Sequence, residues 1–167
     1  ISKGAMNLVS MERSNNLLKI VRPIKEIAGG SAANTISTLA KLGLKTGYIG
    51  KIADDPKGKV FKKDFIDSSI FYNTEFLDKS NTEATGKCIV LITPDKERTM
   101  NTYLGATEFL TEIDIDEELI AHSELLYLEG YRFDGRESKE AFYKAIEIAK
   151  RNKAKIAITL SDKFCVD

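Results

Sequence analysis

Two periods of hydrophobic spacing divide the chain. Over residues 10–20, Leu17, Leu18 and Ile20 fall where a short helix would turn them inward. Residues 24–27 read as a short extended piece before Gly29 and Gly30. From Ser31 to about residue 42, Ala32, Ala33, Ile36, Leu39 and Ala40 share one face at helical spacing, and Gly43 ends that helix. Residues 46–52 read as a strand. Asp54-Asp55-Pro56 is a turn, with Pro56 suited to the first position of a helix that carries Val60, Phe61, Phe65 and Ile66.

The middle changes character. Residues 70–77 and 85–93 are extended runs rich in β-branched and aromatic side chains. Pro94-Asp95-Lys96-Glu97 turns the second run into residues 98–104, which predicts an antiparallel sheet. From Leu110 the rhythm is helix (114–122), strand (125–129), helix (137–152) and strand (155–160). The last helix has Ala141, Phe142, Ala145, Ile148 and Ala149 on one side. Ile156-Ala157-Ile158 is an unbroken apolar run, as in a strand covered on both faces. Strand and helix in alternation predict an α/β parallel sheet, with the middle strands as a small inserted sheet.

Composition narrows the class. The 167 residues are 43% hydrophobic, enough for a core, and Lys+Arg and Asp+Glu stand at 25 each. That balance gives no electrostatic case for nucleic acid or an anionic membrane as partner. No apolar run reaches bilayer length and no signal peptide is visible, so a cytoplasmic protein is expected. Cys88 and Cys165 have no metal-ligand spacing and read as reduced thiols. The chain starts at Ile1 rather than Met and ends at Asp167 after a strand-like run, so both ends look cut.

The densest chemistry lies in Gly29-Gly30-Ser31-Ala32-Ala33-Asn34. The glycines permit a positive φ and let a ligand approach the main chain. The helix that follows opens with unpaired N–H groups and a positive dipole end. Asn34, in its first turn, can both donate to and accept from a hydroxyl, which suits a polyol or sugar. The same residues also fit a plain strand–turn–helix joint with Ser31 as N-cap.

That hexapeptide followed by Gly43 resembles the N-terminal signature of ribokinase-like (PfkB-family) carbohydrate and nucleoside kinases. So do Thr46-Gly47-Tyr48-Ile49-Gly50-Lys51-Ile52-Ala53-Asp54-Asp55 with Gly58, Glu97-Arg98-Thr99-Met100-Asn101, Tyr127-Leu128-Glu129-Gly130-Tyr131, and Thr159-Leu160-Ser161-Asp162 with Phe164-Cys165. The match runs in the family's order along nearly the whole chain and is nearest the adenosine-kinase-like and bacterial sugar-kinase members. Ile36 stands where the signature usually has a small residue, and Ala53 where it usually has glycine. The family's first strand, with an acidic residue for sugar hydroxyls, would precede Ile1. Its Gly-Ala-Gly-Asp motif with the catalytic base, and its Asn-x-x-Glu motif associated with magnesium and phosphate, would follow Asp167.

The resemblance implies a partial three-layer ribokinase-like core over residues 1–167, with lid strands within about 22–28 and 70–104 and the catalytic C-terminal portion absent. The implied activity is ATP- and Mg2+-dependent phosphorylation of a sugar or nucleoside hydroxymethyl group, with this chain alone inactive. A non-catalytic sugar- or nucleoside-binding module, or an incomplete fragment, is the competing reading. Gly29, Gly30 and Asn34 would hold substrate hydroxyls, and Arg98 would offset charge on the phosphoryl group or be a solvated hairpin charge. Glu129, at the end of a strand, would bind the sugar or cap the next helix. Tyr131 and Phe133 would stack on substrate or pack in the core. Asp54 and Asp55 read as a turn with helix capping rather than a metal pair. His122 reads as a helix-end residue, Asp162 as structural, and no metal ligands are expected. Lid sheets of this family can pair across a dimer, and an edge strand such as residues 98–104 could do so; the sequence leaves monomer and dimer both open.

Overall fold

In the computed structural model, which describes residues 2–133, 135–161 and 165, strand and helix alternate as the periodicity predicts, but the strands sort into three small sheets. The first joins β1 (Met6–Leu8), β5 (Arg98–Tyr103) and β4 (Lys87–Ile92) in the order β1-β5-β4. β4 and β5 are antiparallel, with Lys87 opposite Tyr103 and Ile92 opposite Arg98. β1 runs parallel to β5, with Met6 opposite Met100. The second sheet pairs β2 (Thr46–Gly47) with β3 (Ile70–Phe71), and the third pairs β6 (Leu125–Glu129) with β7 (Lys155–Thr159), both parallel.

The helices begin and end on local chemistry. The Ser10 hydroxyl caps α1 (Met11–Ile20) by accepting from Arg13 N–H at 3.1 Å. α2 (Ser31–Lys41) starts after Gly30, whose φ of 117° no β-carbon favours. It ends at Gly43, where Gly43 N–H bonds Ala40 C=O at 2.9 Å and Leu44 N–H bonds Leu39 C=O at 3.2 Å. α3 (Pro56–Asp67) has Pro56 in its first turn and Asp55 as N-cap. α4 (Glu117–Ala121) is a single capped turn, and α5 (Arg136–Arg151) covers the third sheet.

Two cores result. Tyr48, Phe61, Phe65 and Tyr72 form an aromatic cluster with ring centroids 4.3–5.9 Å apart, closed by Ala33, Ile52 and Ile70. Ala141, Ala145, Ile148 and Ala149 of α5 pack with Ile115 and Ile120, and Phe142 packs with Leu110 and Leu128.

Several expectations are corrected. Residues 22–28 form no strand; the third strand of the small sheet is β1 instead. That makes β5 the central strand rather than a free edge, because Met6–Leu8 occupies its other side. α1 contacts β5 and buries Ser14 and Leu17, but Ile20, at its last turn, is exposed. Val60 and Ile66 are exposed on α3 while Phe65 is buried. The strand read over 46–52 pairs regularly only at Thr46–Gly47. Beyond it, single bonds such as Leu77 N–H to Ile52 C=O at 2.8 Å and Tyr72 Oη–H to Gly50 C=O at 2.6 Å replace the ladder. The helix read over 114–122 resolves into a 3-10 turn at Glu112–Asp114 and then α4. Ile156 and Ile158 are not covered on both faces: α5 lies on one side of β7 and both side chains are exposed on the other.

Candidate functional site

The end of β6 and the start of α2 meet. The Ser31 hydroxyl, on the first residue of α2, donates to Glu129 Oε2. The Ser161 hydroxyl, just past β7, donates to Glu129 Oε1 and accepts from Tyr131 N–H at 3.2 Å. Glu129 thereby gathers three chain segments at the carboxyl ends of two parallel strands, where ligands of open α/β sheets bind. Ser31 is not the N-cap of α2; that position is Gly30, and the freed hydroxyl turns to the carboxylate.

Gly29, Gly30 and Asn34 are exposed at this mouth. Asn34 N–H bonds Gly30 C=O at 2.8 Å and its carbonyl accepts from Thr38 Oγ1 at 2.8 Å, so its backbone is committed to the helix while the residue itself is exposed. Tyr48 lies close enough to feel Glu129: burial, with a smaller push from that carboxylate, raises its pKa to about 12, so it stays neutral. Tyr131 is half-buried, whereas Phe133, also half-buried, packs against Phe142 at the margin of the core and against the exposed Tyr143.

Arg98 stands apart. It opens β5 opposite Ile92, at the turn end of the three-stranded sheet, exposed and with no ion pair among the described residues. Five residue steps along the strand, roughly 17 Å, separate it from Tyr103 at the base of the sheet. Asp162 and Phe164 lie outside the described residues.

Other carboxylates have structural work. Asp55 caps α3 and also holds Thr85, while Asp54 pairs with Lys59 at 2.9 Å and Lys79 at 3.5 Å. Asp114 forms a buried ion pair with Lys51. His122 Nδ1 lies 2.9 Å from Glu118 C=O at the end of α4. Among the described residues, no group of three or more His, Cys, Asp or Glu could hold a metal ion, and no helix is long and apolar enough to cross a membrane. Sequence reading missed Ser31 and Ser161 as Glu129's partners; a serine on each segment that converges on a strand-end carboxylate was the available signal.

The family model "pfkB family carbohydrate kinase" matches residues 4–165. A 5-dehydro-2-deoxygluconokinase from Bacillus licheniformis is 29% identical over 162 residues, covering 96% of this chain and 49% of that protein. The crystal structure of adenosine kinase from Sinorhizobium meliloti superimposes with a TM-score of 0.91 at 40% identity, over 99% of this chain and 50% of that one. A probable sugar kinase from Rhizobium etli CFN 42 gives a TM-score of 0.92 at 38% identity, over 100% of this chain and 50% of its own. The chain thus spans about half the length of the relatives it matches.

Proposed function

Because this chain belongs to the pfkB family of carbohydrate kinases, we propose that it is the substrate-binding and lid-bearing half of an enzyme that transfers a phosphoryl group from ATP to the hydroxymethyl group of a sugar or nucleoside. The observation that carries this reading is the mouth itself. An exposed glycine pair opens α2 beside a strand-end carboxylate, with Asn34 one turn away.

Each part has a chemical task. Gly29 and Gly30 let a sugar lie against backbone, and the N-terminus of α2 offers N–H groups there. Asn34 both donates to and accepts from one hydroxyl. Glu129 already accepts from two serine hydroxyls, and a carboxylate has about four acceptor positions, so two remain for substrate hydroxyls. Tyr131 lines the same mouth. The lid sheet presents one apolar face, with Val90, Met100 and Met6 in register and Ile92 beside Arg98. Closing that face over the mouth would exclude water, which otherwise competes for the phosphoryl group. Arg98 would then offset negative charge as the phosphoryl group moves.

ATP supplies the phosphoryl group, and Mg2+ would neutralise its charge. The described residues offer no group of three or more His, Cys, Asp or Glu that could hold it. The family's Gly-Ala-Gly-Asp and Asn-x-x-Glu motifs do not occur in these residues, so the catalytic base is assigned outside them. The 167 residues alone are expected to lack kinase activity. The work is cytoplasmic, and a homodimer would pair through the outer edges of the lid sheet, β4 or β1.

The test is ATP-dependent phosphorylation of a panel of sugars and nucleosides, by the complete polypeptide and by the 167-residue chain. Turnover by the first and none by the second is expected. Saturable substrate binding without turnover by the complete polypeptide would favour the non-catalytic binding module.

A further inference from the structure

The legs of the lid are knotted to the core. Thr85 lies two residues before β4, on the leg that enters the lid, and is buried. Its N–H donates to Asp55 Oδ2 at 2.8 Å and its hydroxyl donates to Asp55 Oδ1 at 2.8 Å. The same hydroxyl accepts from Ala53 N–H at 3.0 Å, and Asp55 Oδ1 also accepts from Gly58 N–H at 2.7 Å. A β-carbon on Gly58 would sit 2.1 Å from Ala53 C=O and 2.8 Å from Thr85 Oγ1, so no larger residue fits the knot.

The second leg is bound to the first rather than to the helix. Ala106 N–H bonds Ala84 C=O at 2.9 Å, and Ala84 N–H bonds Tyr103 Oη at 3.3 Å. The Tyr103 hydroxyl donates to Glu83. A β-carbon on Gly86 would lie 2.5 Å from Leu104 C=O, and one on Gly105 would lie 2.2 Å from Ala84 C=O. The legs touch backbone to backbone, and polar contact from the pair to α3 runs through Thr85 and Asp55.

We propose that the Asp55–Thr85 link is a latch fixing the base of the lid to the N-terminus of α3, which makes Thr85 a positioning residue for phosphoryl transfer rather than one that touches substrate. The mechanical part stands on this geometry; the catalytic part rests on the kinase reading above. Leverage connects the two. β5 runs roughly 17 Å from the base to Arg98, so a tilt of a few degrees at the base moves Arg98 by about 1 Å. A misplacement of that size costs on the order of a hundredfold in rate. Binding at the mouth, on α2 and β6, does not pass through the latch.

Thr85→Val keeps the shape but removes the hydroxyl, while Thr85→Ser restores it. In the complete polypeptide, the valine variant should lose tenfold or more in kcat with the KM for the acceptor within about threefold, and serine should recover most of the loss. Amide hydrogen exchange should quicken in β4 and β5 of the valine variant and stay unchanged in β6, β7 and α5. Wild-type exchange in the lid would overturn the latch. Faster lid exchange with unchanged kcat would overturn the positioning role. A wild-type polypeptide with no turnover on any acceptor defeats the kinase reading, while the exchange experiment still decides the latch. Should the valine variant fail to fold, Asp55→Asn, which keeps an oxygen for Gly58 and loses an acceptor for Thr85, gives the same readouts.

Discussion

Asp55 and Glu129 both stand where an extended segment gives way to a helical one, and they are held in different ways. Asp55 is fastened by main-chain N–H groups from Gly58 and Thr85, with the Thr85 hydroxyl as a third donor. Those N–H groups cannot turn away without moving the chain. Glu129 is held by two serine hydroxyls, which rotate freely. A carboxylate fixed by backbone is committed to structure, whereas one fixed by hydroxyls can exchange them for those of a ligand. Position at a junction does not separate the two roles; the identity of the donors does.

The largest expected effect tests the committed side. Asp55→Ala removes the N-cap of α3 and leaves Thr85 N–H, which is buried, without its acceptor. Together these should cost at least about 2 kcal/mol. For a chain of this size that lowers Tm by roughly 4–8 °C. Burial works against the charge on Asp55, but bonds from Gly58, Thr85 and Lys57 outweigh it and hold its pKa below the ordinary 3.8. A depressed carboxylate contributes stability above its unfolded pKa and loses it as pH falls through the folded value. The gap between wild type and Asp55→Ala in thermal melts should therefore be full above pH 3.8 and narrow below it. Glu129→Ala should move Tm much less. A larger Tm loss at Glu129 than at Asp55 would break the comparison.

Much of this was legible in the sequence. Asp55 as a cap followed from Pro56 beside it, because a proline in the first helical turn leaves the preceding side chain to cap. The β4–β5 hairpin and the β6–α5–β7 unit followed from period and turn residues, with β6 found to the residue. Contacts distant in sequence were not legible. Nothing local says that Thr85 returns to Asp55, 30 residues earlier, or that Ser31 reaches Glu129 across 98. β1 escaped for the same reason: three residues carry too little pattern, and only pairing with β5 makes them a strand. Ile156 and Ile158 read as doubly buried because an apolar run reports what a strand could bury, not what covers it.

The next effect sharpens the exchangeable side. Asn34 lies at the same mouth as Glu129, but its side-chain amide is exposed. Asn34→Leu in the complete polypeptide should leave Tm unchanged and raise the KM for the acceptor, since a hydroxyl left without its partner costs about 1–3 kcal/mol. An unchanged kcat/KM would return Asn34 to the helix surface. A smaller effect, of the opposite kinetic type, is expected at the far end of the lid. Arg98→Gln should lower kcat about tenfold, equivalent to about 1.4 kcal/mol of transition-state stabilisation, with KM nearly constant. Lysine should rescue only in part, because it keeps the charge and loses the planar fork. Wild-type kcat in both variants would leave Arg98 as a solvated hairpin charge.

Ser31→Ala has the smallest expected effect and bears most directly on what distinguishes the two carboxylates. Ser31 is exposed, so alanine leaves no buried donor unpaired and no cavity, and Tm should change by less than the equivalent of about 1 kcal/mol. On Glu129, the loss of one hydroxyl frees an acceptor position that water or a substrate hydroxyl can fill. Ser161 still holds the other oxygen, so the carboxylate keeps its orientation. The KM of the Ser31→Ala variant should therefore stay within about threefold of wild type, since an exchanged hydrogen bond contributes only about 0.5–1.5 kcal/mol net. If Glu129 were instead committed to joining α2 to β6, alanine at Ser31 would release the start of α2. Hydrogen exchange would then quicken in its first turn, and KM would rise as steeply as in Asn34→Leu because Gly30 and Asn34 move with that turn. Thermal melts, exchange in α2 and the KM of this variant together decide whether the serine is a substitute for substrate or a fastening.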